Sequence, residues 1–227
     1  MIRALAAFSA ACIVVGAPCS AATPREVLIQ AAFRTPDKHT AVALVDRAIA
    51  MAQRQIAADP GNREALMQHA AGIGYRGKLT RNLGDAKTSR RLFEALAKTN
   101  PRDPEIQLLL AGWHLDAIAD VGAFLAGAVI GAHSGKGLAA LDRSVALGQG
   151  RAFFPGFAAM MRIRQDKDDI ARARMLAEAA LVGDVPTMLD RIARRDAEAL
   201  LVPLRAGDGK AAAALARRLL PFGDLAR

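Results

Sequence analysis

Apolar residues recur along the chain at alternating steps of three and four, the spacing that places one stripe on a helix. After Pro36-Asp37, the stripe is Val42, Val45, Ile49, Ala52 and Ile56, with Asp46, Arg47, Arg54 and Gln55 largely off it. Asp59-Pro60-Gly61 ends this helix, because proline and glycine together forbid continuation. Asn62 is suited to cap a second helix through Ala65, Leu66, Ala70 and Tyr75 to about Leu83, with Gly84 as its stop. A third is predicted over 85–99, with Leu92, Phe93 and Leu96 inward, closed by Asn100-Pro101. Asp103 caps a fourth, with Pro104 at a first position that needs no amide hydrogen, and its stripe is Ile106, Leu109, Leu110, Trp113 and Ala117. Further helices are predicted over 153–164, 168–182, 186–201 and 209–220. In the last, Arg217-Arg218 alternates with Leu215, Leu219 and Leu220, as a polar-faced end cap would.

The turns repeat. Asp59-Pro60-Gly61-Asn62-Arg63-Glu64-Ala65-Leu66 superposes on Asn100-Pro101-Arg102-Asp103-Pro104-Glu105-Ile106-Gln107, each ending one helix and capping the next. A degenerate third copy runs from Ala140 to Gln149, with Gln149 where the prolines stand. Repeated antiparallel helix pairs bury their apolar faces only by stacking, which makes an all-α solenoid the expected fold.

The stretch resembles the tetratricopeptide repeat. Gly72 and Tyr75 have that family's first-helix spacing, Phe93 and Pro101 its second-helix-to-turn spacing, and Ala111-Gly112 with Leu115 repeats Ala71-Gly72 with Tyr75. The chain departs from the pattern in a longer Tyr75-to-Phe93 interval and in Gln68 where the family has Trp. The resemblance covers about residues 40–165 of a single domain over 23–227, with a looser helical part over 166–227. It implies a non-catalytic scaffold whose concave surface binds a protein or peptide of the bacterial envelope. Gln68, Tyr75, Lys78 and His114 would line that surface, with Arg76 and Arg81 supplying charge. Ala111-Gly112-Trp113-His114 and the apolar stretch after it also look like the periplasmic tetratricopeptide subunit associated with tripartite ATP-independent transporters. That second resemblance implies a small apolar ligand in a pore lined by 113–132, with Trp113, Phe124 and Ile130 on its wall.

Composition agrees with a helical fold. Of 227 residues 52% are apolar, yet the aromatics number only eight Phe, one Tyr and one Trp, which argues against a β-sandwich or barrel. Residues 1–22 read as a secretory signal peptide: Arg3 supplies a basic start, an apolar run follows, and Pro18-Cys19-Ser20-Ala21-Ala22 is a small-residue end. The apolar run is too short for a spanning helix. Both cysteines, Cys12 and Cys19, fall inside the leader, so a cysteine-free chain in the periplasm or secreted medium is expected.

No candidate chemistry stands out. His39, His69, His114 and His133 form no metal-ligand spacing, and Ser89, Ser134 and Ser144 sit in no nucleophile elbow, so neither enzyme activity, cofactor nor metal is expected. Gly131-Ala132-His133-Ser134-Gly135-Lys136-Gly137 fails as a phosphate loop: Ile130 stands where its first glycine belongs and Gly137 where the Ser or Thr belongs. The stretch 121–132 carries no charge and reads either as a helix buried on all sides or as the wall of an apolar groove. The net charge of +9 is spread along the chain without a nucleic-acid-reading element. An acidic protein surface or anionic lipid headgroups fit this charge better than nucleic acid does.

Overall fold

The computed structural model describes residues 22–148 and 150–226, and these are all-α. The order is α1 (Pro24–Phe33), α2 (Lys38–Ala58), α3 (Arg63–Thr80), α4 (Leu83–Thr99), α5 (Pro104–Val121), the three-residue α6 (Ala123–Leu125) running into a π-helical turn (Ala126–Ile130), α7 (Ser134–Leu147), α8 (Phe153–Gln165), α9 (Ile170–Val182), α10 (Met188–Arg205) and α11 (Gly209–Leu219). The predicted leader lies outside the described residues. Among them, no single helix is long and apolar enough to cross a membrane.

Local chemistry explains the boundaries. Asn62 accepts the Ala65 N–H at 3.0 Å, and Asp103 accepts those of Glu105 and Ile106 at 2.9 and 3.1 Å, so both repeated turns act as caps. The α3–α4 turn differs from its expected form. Arg81 ends α3 in the left-handed region (φ 57°) and Asn82 caps α4 through the Gly84 and Asp85 N–H groups, which puts Gly84 inside the first turn rather than at a stop. Helix α1 has a reciprocal cap that the sequence carried in Thr23-Pro24-Arg25-Glu26: Thr23 accepts the Glu26 N–H, and the Glu26 carboxylate accepts the Thr23 N–H.

Consecutive helices pack as antiparallel hairpins, α2 between α1 and α3, α4 between α3 and α5, α7 against α5 and α9 against α8. This arrangement is consistent with a solenoid. Two principal apolar cores result, one built on Val45, Met67, Leu79 and Phe93, the other on Leu141, Phe154, Met160 and Leu200.

The two ends of the stack meet. Phe222 N–H donates to the Ala32 carbonyl at 2.8 Å, and the Phe222 ring, buried in the first core, lies edge-on to Tyr75 at 4.9 Å. Phe33 and Phe157 join α1 to α8 edge-on at 6.1 Å. Helix α11 therefore does not end the stack as a free polar-faced cap; it packs on α8 and α10, and the chain after it returns to α1. Phe222→Ala should cost about 2–4 kcal/mol, toward the lower side of large core truncations because the site is near a terminus. Thermal unfolding monitored by circular dichroism should show a midpoint lower by roughly 5–15 °C, and an unchanged midpoint would mean that the closure contributes nothing.

The 121–132 stretch is not the fully buried helix that its composition allows. Gly122 at φ 85° ends α5 and Gly131 at φ 73° ends the π turn, conformations open to glycine at no steric cost. Between them only Ala126 and Ile130 are buried, whereas Phe124, Leu125 and Val129 are exposed.

Candidate functional site

The inner sides of α1, α3, α5 and α8 enclose a cavity of about 1010 Å³. Small residues make the room: Ala71 on α3 and Gly112 and Ala117 on α5 leave the lining to Leu28, Leu109, Trp113, Phe157 and Met161. The exposed residues Arg81, Leu83, Ala119, Leu125 and Val129 form a mouth, and Leu220 and Pro221 lie on the wall contributed by the returning C-terminal segment. Trp113 is fixed in this wall because its indole N–H donates to the Ala86 carbonyl at 3.0 Å.

Charge enters the apolar chamber at two places. Asp116 accepts from Lys78 Nζ at 2.8 Å and from Arg164, whose other nitrogen reaches Asp120 at 2.6 Å. Burial pushes the Asp116 carboxyl up, but Lys78 and Arg164 outweigh it and hold the group below the usual carboxylate range. For Asp120, burial dominates over Lys78, the neighbouring Asp116 adds to it, and the carboxyl is pushed up. The second place is Arg25, which donates to Glu64 at 2.7 and 2.6 Å and to Glu105. Five cationic residues line the cavity (Arg25, Lys78, Arg81, Arg164 and Arg217) against three acidic ones, Glu105, Asp116 and Asp120. Gln165 Oε1, a buried atom of a lining residue, has no hydrogen-bond donor among the described residues.

Gln68, Tyr75, Lys78 and Arg81 from the expected partner-binding set all line this cavity, as do Trp113 and Ile130 from the apolar-groove set. Arg76, which is not part of the lining, pairs with Asp85 at 2.7 Å and Asp46 at 3.4 Å. Phe124 lies outside the lining and keeps 85% of its surface exposed. His114 is only 1% exposed, so it cannot present itself on a concave surface; its Nδ1 accepts the His133 N–H at 3.3 Å behind the edge-on Trp113 ring. Asp116, Asp120, Arg164, Arg25 and Phe157 were missed. Asp116 and Asp120 did leave a signal, two acids four apart near an otherwise apolar helix stripe. Their partner Arg164 sits on α8, beyond the reach of any local pattern.

Burial, reinforced by Lys136, His133 and Arg90, pushes the His114 imidazole down to about 4 from 6.5. The unfolded chain therefore takes up this proton first as the pH falls. His114 contributes a loss of stability that begins near pH 6.5 and levels off below about pH 4, worth about 1–3 kcal/mol. His114→Asn keeps an acceptor for the His133 N–H but cannot titrate, so urea unfolding should show a smaller drop between neutral and acidic pH than in the parent; equal drops would refute this.

Comparison with known proteins assigns no role to the cavity: no family model, no curated protein and no solved structure matches the chain.

Proposed function

We propose that the chain is a non-catalytic binding protein for a small apolar or amphipathic molecule, held in the cavity between α1, α3, α5 and α8. The carrying observation is the cavity itself, about 1010 Å³ lined largely by apolar side chains such as Leu28, Trp113, Phe157 and Met161, with most of its charged groups gathered around Asp116 and Arg25. Such walls with sparse polar anchors are what small-molecule sites are made of. The excess of cationic lining and the unpartnered Gln165 Oε1 favour a ligand with a polar, electron-rich end that also carries a hydrogen-bond donor.

The predicted leader over residues 1–22 supports placing this binding protein outside the cytoplasm. A scaffold that grips a protein or peptide on the same inner surface is the second choice. What favours the small molecule is that Gln68, Tyr75 and Lys78 line a half-open cavity rather than a free concave face, with the chain's own C-terminal segment forming part of its wall.

Native mass spectrometry of the purified protein, followed by solvent extraction, tests this directly. A bound species of a few hundred daltons is expected. Ala117→Phe, which fills the chamber, should reduce its occupancy at least about tenfold, equivalent to roughly 1.4 kcal/mol, with the helical signal intact. If the parent carries no ligand and its unfolding midpoint shifts with no member of an amphiphile panel, the cavity is not a ligand site.

A further inference from the structure

We infer that the projection formed by residues 122–131 docks the protein onto a bilayer that contains anionic lipid. Phe124 and Leu125 are 85% and 55% exposed, Val129 is 42% exposed, and Leu83 at the start of α4 is exposed beside them at the cavity mouth. Contiguous apolar surface of this kind marks an interaction site.

Three observations choose a bilayer over a protein as the occupant. First, between Gly122 and Ala132 no side chain can donate or accept a hydrogen bond, so the tip offers a protein partner nothing polar to read. Protein interfaces carry about one hydrogen bond per 100–200 Å², whereas a bilayer interface needs only apolar area and charge. Second, the inner part of the turn pairs its own backbone, with Ala126 N–H donating to the Gly122 carbonyl, Gly131 N–H to Gly127 and Ala132 N–H to Ala126, all at 3.0–3.1 Å, while the first-turn N–H groups of Ala123, Phe124 and Leu125 have no acceptor among the described residues. Such a backbone fits the hydrated headgroup layer, where lipid phosphates and water can accept from the free N–H groups, so the seating is shallow.

Third, the flank is basic. The face of α4 that carries Ala86 and Arg90 meets the projection, with Ala86 packed into the Ile118–Ile130 cluster and Arg90 donating to the Ile130 carbonyl at 2.6 Å. Lys87 and Arg91, the next residues round the helix, are exposed, as are Arg81 before α4 and Lys136 in the first turn of α7. Among the described residues none of these four cations lies in an ion pair with a carboxylate. The nearby acids are engaged, Asp85 by Arg76, Asp120 by Arg164 and the exposed Glu94 by Arg90 at 3.7 Å. Lipid phosphates are the complementary charge, each cation near such a surface adding to the attraction.

Docking is interfacial rather than spanning. The segments Ala123–Ile130 and Ser134–Leu147 are together as apolar as a span, but they meet at 92°, and α7 is packed against α5. Only the projection is available to enter the lipid. Because Leu125 and Val129 belong both to the projection and to the cavity wall, docking would also turn the cavity mouth toward the membrane. Docking requires no ligand in the cavity.

The test is flotation of the full chain with vesicles of phosphatidylglycerol and phosphatidylethanolamine, and with vesicles of phosphatidylcholine alone. The parent should float with the anionic vesicles, less so in high salt, and stay behind with the zwitterionic ones. The exposed-site double variant Phe124→Ser/Leu125→Ser and the charge reversal Lys87→Glu/Arg91→Glu should each weaken flotation at least about tenfold while the unfolding midpoint stays put. Phe124→Trp reports on the tip itself: its emission should shift to the blue with anionic vesicles, against the background of the part-buried Trp113. No flotation of the parent, or undiminished flotation of Phe124→Ser/Leu125→Ser, overturns the proposal. Sedimentation of the parent as a dimer that Phe124→Ser/Leu125→Ser dissolves would assign the tip to a second copy instead, and would overturn it equally.

Discussion

Asp190→Ala should destabilise the protein by about 3–5 kcal/mol and lower its thermal midpoint by roughly 10 °C or more. The Asp190 side chain is 0% exposed and accepts five hydrogen bonds. Two come from Arg151, at 3.2 and 2.8 Å, two from the N–H and hydroxyl of Thr187, at 3.0 and 2.6 Å, and one from the Phe153 N–H at 3.1 Å. It therefore closes the capping box of α10 and ties that helix to the start of α8. Alanine would leave a buried N–H without an acceptor and a guanidinium without its counterion, and leaving such groups unpaired costs more than the bonds themselves contribute. Arg151 keeps part of its surface in water and stacks over Phe153 and Phe154, which places the expected loss nearer 3 than 5 kcal/mol.

A pH series distinguishes charge from shape at this site. Burial pushes the Asp190 carboxyl up, but the bonds from Arg151 and Thr187 outweigh it and hold the group below the ordinary 3.8. Its stabilising contribution is complete above that value and is lost as the pH falls through the lower folded-state value. Asp190→Asn keeps one acceptor, should cost less than alanine, and should remove this part of the acid dependence. Chemical denaturation of parent and both variants across the acid range checks the order; an alanine variant as stable as the parent would refute the assignment.

The second large effect is expected at Asp116. Asp116→Leu should cost about 2–4 kcal/mol, because Lys78 and Arg164, both mostly buried, lose the carboxylate between them and only Asp120 remains, close to Arg164 and 4.0 Å from Lys78. The asymmetry of buried ion pairs gives a sharper expectation. Removing one partner strands the others, whereas replacing the whole network by apolar groups of similar size is close to neutral. The variant carrying Asp116→Leu with Lys78→Met and Arg164→Met leaves only Asp120, whose side chain is 38% exposed and can be hydrated, and should recover most of the stability lost in the single substitution. Urea midpoints of the parent, single and triple variants measure this, and a triple variant no more stable than Asp116→Leu would contradict it. The same triple variant removes two of the five cations of the cavity wall, so a ligand with an electron-rich end should bind it at least about tenfold more weakly while an uncharged apolar one is retained.

Part of the molecule was legible from short stretches. Asn62, Asp103 and Pro104 specify helix starts because a cap needs only residues within one turn, and the Val42-to-Ile56 and Ile106-to-Ala117 stripes specify faces because helical periodicity is local. Where a competing local signal existed, the pattern misled. Gly84 looked like a helix stop, yet Asn82 captured the Gly84 N–H as a cap and Arg81 took the left-handed position usually filled by glycine. The uncharged 121–132 stretch allowed a helix buried on all sides or a groove wall, and hydropathy does not register how Gly122 and Gly131 turn the backbone and leave Phe124 outside.

By itself the sequence determined the helical class, the hairpin turns and the apolar faces, all of which rest on interactions between near neighbours. Only the tertiary structure decided that the stack closes, that α1, α3, α5 and α8 surround a chamber, and that Asp116 meets an arginine from α8. Those outcomes depend on small rotations accumulated from hairpin to hairpin, which bring Phe222 to the Ala32 carbonyl. No window of a few residues contains that sum, and the candidate site lies where it is taken.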